Sequence, residues 1–268
     1  MTPGGEWRPG VYLQFADDRL RPGFDLMARI GDLPPGPLYD IGCGAGQHAR
    51  ALADRWPDRP VFGLDSSPQM LAAARAARNG AAGDSRVQWV QADAGTWQAP
   101  PPAPALLFSN AALQWLDGHQ ALLTRLFDML APGGVLAVQM PRNDASPSQV
   151  LLREVAAQGP WAEVLKGARL LKPLGTPDTY YGWLAAAGAR QIDLWESHYV
   201  HVLQGDDPVF DWVKSTSLRP VLERLSCALL DGYVNELKAR LRTAYPRRTD
   251  GTTLFPFRRL FFVCRRPA

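Results

Sequence analysis

The sequence predicts an α/β protein built on a doubly wound, mostly parallel sheet. Three observations carry that expectation: short apolar runs alternating with helical periodicity between Pro37 and Pro141, a glycine-rich break after the first run, and acidic residues closing successive runs. The first run, PLYDIG, breaks into Gly42-Cys43-Gly44-Ala45-Gly46, and Ala49, Leu52, Ala53 and Trp56 follow at helical spacing. VFGLD ends at Asp65; Ser67 then stands where an N-cap belongs and Pro68 at the first helical position, leading into Met70, Leu71 and Ala74. VQWVQAD is the third strand, ending at Asp93, and ALLFSN the fourth, turning polar at Ser109 and Asn110. A helix through Leu122, Leu126 and Leu130 stops at Pro132-Gly133, and Val135 to Met140 form the fifth strand.

Beyond Pro141 the regularity falls. Residues 144–187 and 206–245 read as helical segments of a cap, with late strands in 188–205 and 255–268 completing the sheet. Residues 31–143 make the core, and residues 1–30 a leading lid segment.

Composition bounds the function. Of 268 residues, 46% are apolar and 21% charged, which excludes a disordered chain. The net charge of +3 hides an asymmetry: nine basic residues and one acidic residue lie from Lys238 onward. Arg247-Arg248 beside Tyr245 is a weak nucleic-acid signal, so no nucleic-acid partner is expected. Three cysteines without CxxC spacing argue against a disulfide framework or zinc site. His198 and His201 are three apart on a strand, hence on opposite faces, and no metal is expected. The start lacks a signal-peptide pattern, and no apolar run approaches the roughly 18 residues that cross a bilayer. The expectation is a soluble, cytoplasmic protein without a membrane association or an obligate protein partner.

The glycines are spaced GxGxG, which differs from the GxGxxG dinucleotide fingerprint, and no Gly-Lys-Ser/Thr follows to make a P-loop. Acids near three consecutive strand ends, Asp40, Asp65 and Asp93, suit a ligand offering hydroxyls and amines: Asp65 can accept from both ribose hydroxyls, Asp93 from an exocyclic adenine amine.

This pattern resembles the class I S-adenosylmethionine-dependent methyltransferases and their Rossmann-like fold. The resemblance implies S-adenosyl-L-methionine as cofactor and S-adenosyl-L-homocysteine as product. Asp40 and the turn Gly42, Gly44 and Gly46 would lie by the methionine part, Asp65 and Ser66 by the ribose, Met70 on the adenine face, and Asp93-Ala94 at the adenine edge. Asn110, Gln114 and Trp115 would line the cofactor site where the methyl travels; Trp115 could equally be core. Arg21 could hold the methionine carboxylate or a substrate carboxylate. Further segments resemble one subgroup, the trans-aconitate 2-methyltransferases: WRPGVYLQF, SNAALQWL, LAVQMPRN, DWVKSTSLRP and FRRLFFV. They imply a small anionic polycarboxylic acid as substrate, held by Tyr12, Tyr181, Trp212, Arg219 and Arg259. A malonyl-carrier ester or a natural-product acid is the alternative acceptor, and Arg219 could instead close a helix as a solvated charge.

The chemistry agrees with that inventory. A carboxylate with a pKa near ~4 is already ionised at neutral pH, so its methylation needs no general base. The protein's residues position rather than catalyse, and arginine forks with phenol hydroxyls suit a polycarboxylate.

Overall fold

A computed structural model describes residues 16–77, 86–168, 172–214 and 216–268. One seven-stranded sheet has the order β3-β2-β1-β4-β5-β7-β6. β1 is Leu38–Ile41, β2 Val61–Asp65, β3 Val87–Gln91, β4 Leu106–Asn110 and β5 Val135–Pro141, all parallel to one another. β6 is Arg190–Leu203 and β7 Thr253–Arg265, with β7 antiparallel to β5. β1 is buried at every position and β5 up to its final proline, as strands covered on both faces must be. The doubly wound sheet expected from the sequence is therefore present.

Helices α1 (Ala16–Ala28), α2 (Gln47–Arg55), α3 (Pro68–Ala76) and α4 (His119–Asp128) surround the sheet's parallel part. Ser67 caps α3 by accepting from the Met70 N–H at 3.2 Å, with Pro68 following it. α1 buries Leu26, Met27 and Ile30 just after it, so the second half of the leading segment is core.

The chain divides into two compact units. The sheet unit comprises Ala16–Pro141, Gly175–Ser197 and Arg259–Ala268. Helix α7, Pro177–Ala186, belongs to it: the Tyr180 ring stacks at 6.0 Å on Phe262, and its hydroxyl bonds His119 Nδ1 on α4. The other unit takes in Arg142–Leu174 and His198–Arg258, with α5 (Pro147–Ala157), α6 (Ala162–Leu165), α8 (Pro208–Lys214), α9 (Arg219–Leu222) and α10 (Cys227–Ala244). Its core runs from Leu152, Val155 and Trp161 through Phe210, Trp212, Tyr233 and Leu237 to Phe255 and Phe257.

Two elements differ from expectation. β3 ends at Gln91, and Asp93 instead opens a tight turn, accepting from the Gly95 N–H at 2.8 Å through Oδ1. β7 begins earlier than the apolar run LFFVC: Phe255 and Phe257 alternate inward while Leu254 and Pro256 face out, so a proline and two arginines do not interrupt it. On β6, His198 is exposed and His201 buried, the opposite faces their odd separation requires.

The cationic end is largely internally matched. Lys238 and Arg242 both reach Asp207 (3.0 and 2.7 Å), and Arg240 pairs with Glu236 at 2.7 Å. Arg265 donates to the Gly133 and Asp32 carbonyls, and Arg266 to those of Asp128 and Leu130.

Candidate active site

The turn between β1 and α2 is fixed from below. The N–H groups of Gly42 and Cys43 both donate to the Leu64 carbonyl (2.7 and 2.8 Å), which ties the turn to β2. Gly42, Gly44 and Gly46 all have positive φ (74°, 55° and 82°). A Cβ on Gly42 would stand 2.1 Å from the Ala112 Cβ, and one on Gly46 2.2 Å from the Trp89 ring. A Cβ on Gly44 would meet nothing within 4 Å among the described residues. The turn is thus packed at its two ends and open in the middle, the arrangement that lets a ligand approach backbone closely.

Arg50, buried on α2, completes the turn from a direction that no sequence pattern signals. Its guanidinium donates to the Ala45 carbonyl at 3.0 Å and to that of Ala74, and lies 5.2 Å from the Trp89 ring. An arginine at a helical spacing reads as solvated until its carbonyl partners are known.

The acids occupy different environments. Asp65 Oδ2 accepts from the Gly44 N–H at 2.9 Å and Oδ1 from the Ser67 N–H at 2.8 Å, so one carboxylate joins the glycine turn to the N-terminus of α3. Burial pushes its pKa up, and the N–H groups of Ser67, Gly44 and Ser66 pull it back. Ser66 is exposed beside it, and Met70 is buried one turn along. Asp93 is exposed, with Ala94 half-buried next to it.

Asp40 is 1% exposed, and its Oδ2 has no hydrogen-bond partner among the described residues. Its pKa is pushed up to about 8 by burial and then by the Asp65 charge, against the Ala49 N–H. In the unfolded chain the group titrates near ~4, so the stability it contributes is complete below that pH and lost as pH rises through about 8. Asp40→Asn, which cannot ionise, is expected to melt above the parent at pH 8, by a margin that shrinks toward pH 5. Thermal melts across that range check it, and a margin independent of pH would contradict it.

Register extends the same edge of the sheet. Asp40 is opposite Phe108, Asn110 opposite Gln139, and Gln139 opposite Phe261, so Asp40, Asn110, Gln139 and Arg259 share one face. Asn110 is half-buried and Arg259 only 3% exposed. Gln139 was not among the residues sequence reasoning singled out, yet it is fully buried with both amide atoms unpartnered among the described residues. Such an amide is costly to bury and calls for a partner that the core around it does not supply. Gln114, on the 3₁₀ turn Leu113–Trp115, donates to the Ala111 carbonyl at 2.7 Å, while its Oε1 takes no bond among the described residues. Trp115 is half-buried on the same turn.

Two further expected residues of the sheet unit are not drawn into this edge. Arg21 stands on the exposed side of α1, 3.7 Å from Asp25, and Tyr181 is 53% exposed on α7. Tyr12 lies outside the described residues. In the other unit, Arg219 begins α9 and pairs with Glu223 at 2.7 Å, as a helix-end arginine can. Trp212 is 2% exposed, stacked 4.4 Å from His201 with Phe255 and Phe257 around it; the structure gives this ring a packing role. An apolar aromatic at helical spacing reads the same whether it packs or binds, so sequence could not separate the two.

The sheet order with β7 reversed, the glycine turn and the acids beside it define a class I methyltransferase, and the methyltransferase-domain family matches residues 38–134. A putative methyltransferase from Bacillus halodurans shares the fold at TM-score 0.59 and 17% identity, covering 92% of this chain and 99% of its own. Phosphoethanolamine N-methyltransferase 2 of Haemonchus contortus, solved with S-adenosyl-L-methionine, does so at 0.55 and 21%; 92% of this chain spans 53% of that longer one. The chain belongs to the trans-aconitate 2-methyltransferase family. It is 46% identical over 265 residues to the trans-aconitate 2-methyltransferase of Streptomyces avermitilis, covering 98% of this chain and 97% of the relative. To that of Streptomyces coelicolor it is 47% identical over 266 residues, covering 97% and 87%.

Proposed function

We propose that the protein transfers the methyl group of S-adenosyl-L-methionine to a carboxylate of trans-aconitate. The observation that carries this reading is the near full-length likeness to that family, with a sheet edge whose polar groups divide into two halves. Asp93, Asp65 and Asp40 follow the order β3-β2-β1; Asn110, Gln139 and Arg259 follow β4-β5-β7.

When bound, the cofactor supplies a methyl group already activated on a sulfonium. The chain's part is to hold and orient. Asp65 accepts the ribose hydroxyls, with Ser66 beside it; Asp93-Ala94 meet the adenine edge, and Met70 packs against its face. Asp40 and the open Gly44 lie by the methionine part, with Asn110, Gln114 and Trp115 toward the transfer point. Arg259 holds a substrate carboxylate by a fork that a lysine could not reproduce, and the family likeness implies Tyr12, Tyr181 and Arg219 as further substrate residues. Arg21 serves one of the two carboxylates. No residue is needed as base, because the acceptor oxygen is already anionic at neutral pH.

Among the described residues no helix is long and apolar enough to cross a membrane. Free Cys43 and Cys264 are buried, which suits a cytoplasmic setting, and we place the enzyme there acting alone on a small acid.

Incubation with methyl-labelled cofactor and a panel of acids tests the reading. Label is expected in an ester of trans-aconitate in preference to succinate, malonate and malonyl-carrier esters. Transfer to none of the di- or tricarboxylates would overturn the acceptor assignment, and preference for the carrier ester would establish the alternative.

A further inference from the structure

Arg125 is not among the residues sequence or family likeness singled out. It stands on α4, whose other face buries Leu122, Leu123, Leu126 and Phe127. Its guanidinium donates to the Ala94 carbonyl at 2.6 Å, to the Gly95 carbonyl at 3.0 Å and to that of Trp97, and Asp93 acts on it electrostatically. Three carbonyls of four consecutive residues thus turn toward one planar fork. The turn's own bonds are few: the Thr96 and Trp97 N–H groups reach the Asp93 carbonyl (3.0 and 2.8 Å), and the Gly95 N–H takes Asp93 Oδ1. Gly95 and Thr96 are exposed, and the turn's packing comes from Trp97 at its far end, whose ring lies 4.9 Å from that of Tyr39.

We propose that Arg125 is a positioning residue that sets the protein's selectivity for adenine, by holding the 93–97 turn so that the Asp93 carboxylate and the Ala94 peptide present a fixed edge to the base. The inference rests on the reading of Asp93-Ala94 as the adenine contact. The planar guanidinium spreads its donors over two separated nitrogens, Nη1 on the Trp97 carbonyl and Nη2 on those of Ala94 and Gly95; an ammonium gathers its three donors on one nitrogen, and a thioether has none. Without the fork, the carbonyls of Ala94, Gly95 and Trp97 lose their shared donor and the turn samples other conformations. The glycine turn and Asp65, held by Leu64 and Ser67, are untouched. Loss of Arg125 therefore falls on discrimination of the base rather than on binding as a whole.

Calorimetric titration of the full chain with S-adenosylhomocysteine and S-inosylhomocysteine, which lacks the exocyclic amine, reads this out as a ratio of affinities. Arg125→Met is expected to lower the adenosyl preference by about tenfold, since a site built to accept a hydrogen bond rejects the analogue only while the acceptor is held in place. Arg125→Lys, which guards against a poorly folding methionine variant, should lower it by a smaller factor. If both variants weaken the two ligands equally and the ratio holds, Arg125 is merely structural and the proposal is overturned. Asp93→Ala separates the underlying reading: it should abolish the preference, and an unchanged ratio would show that the base is read elsewhere, removing the proposal's foundation.

Discussion

Replacing Asp65 by alanine is expected to weaken cofactor binding by about 10–100-fold, the loss of roughly 1–3 kcal/mol in charge-assisted hydrogen bonds. Both oxygens already accept from the backbone, Oδ2 from Gly44 and Oδ1 from Ser67, so the carboxylate braces the turn it serves. Removal takes away the ribose acceptors and also leaves the Gly44 and Ser67 N–H groups without their partner. The two consequences separate experimentally: a melt without ligand reads the brace, and titration with S-adenosylhomocysteine reads the brace together with the ribose contact. Asp65→Asn keeps one carbonyl oxygen but turns an NH₂ toward a backbone donor, so it should fall between parent and alanine in both. Cofactor affinity within twofold of the parent in the alanine variant would refute the ribose assignment.

Why Asp65 was legible in the sequence, and Arg50 and Arg125 were not, comes down to what each side chain answers to. Asp65 ends an apolar run and precedes a Ser-Pro helix start, so its place at a strand's carboxyl end follows from local pattern alone. The alternation of strands and helices follows likewise from runs, caps and turns, whereas the strand order and the reversed last strand rest on pairings that no local pattern announces. Arg50 and Arg125 serve carbonyl groups 5 to 31 residues away in sequence, and every residue has a carbonyl, so no residue type announces those partners. Gln139 is hidden for a related reason: VQM within an apolar strand gives a lone amide, and only the register with Asn110 and its unpartnered burial distinguish it from a tolerated polar residue. Trp212 shows the converse. Its segment likeness suggested substrate contact, whereas the packing of His201, Phe255 and Phe257 around the ring depends on strands far along the chain.

Gly42→Ala is expected to lower stability by about 2–6 kcal/mol, whereas Gly44→Ala costs ~1 kcal/mol of stability and impairs the ligand instead. Both positions carry positive φ, 74° and 55°, so each alanine pays backbone strain of ~1–3 kcal/mol, Gly44 at the low end because its φ lies inside the left-handed well. The difference is what the new methyl meets. At Gly42 it would stand 2.1 Å from the Ala112 Cβ, a group fixed to backbone that cannot swing aside, which adds an overpacking cost of ~1–3 kcal/mol. Ala112 is the residue from which the 3₁₀ turn of Gln114 and Trp115 departs, so relief of the clash displaces that turn as well. For a chain of this size ~3 kcal/mol lowers the melting temperature by roughly 6–12 °C. Gly42→Ala combined with Ala112→Gly removes the clash but not the strain, and should recover about half of the loss. Gly44→Ala should melt within a few degrees of the parent and still bind S-adenosylhomocysteine at least ~10-fold more weakly, because its methyl occupies the space a ligand would enter. Equal effects of the two alanines on melting and on affinity would show that the turn has no open side.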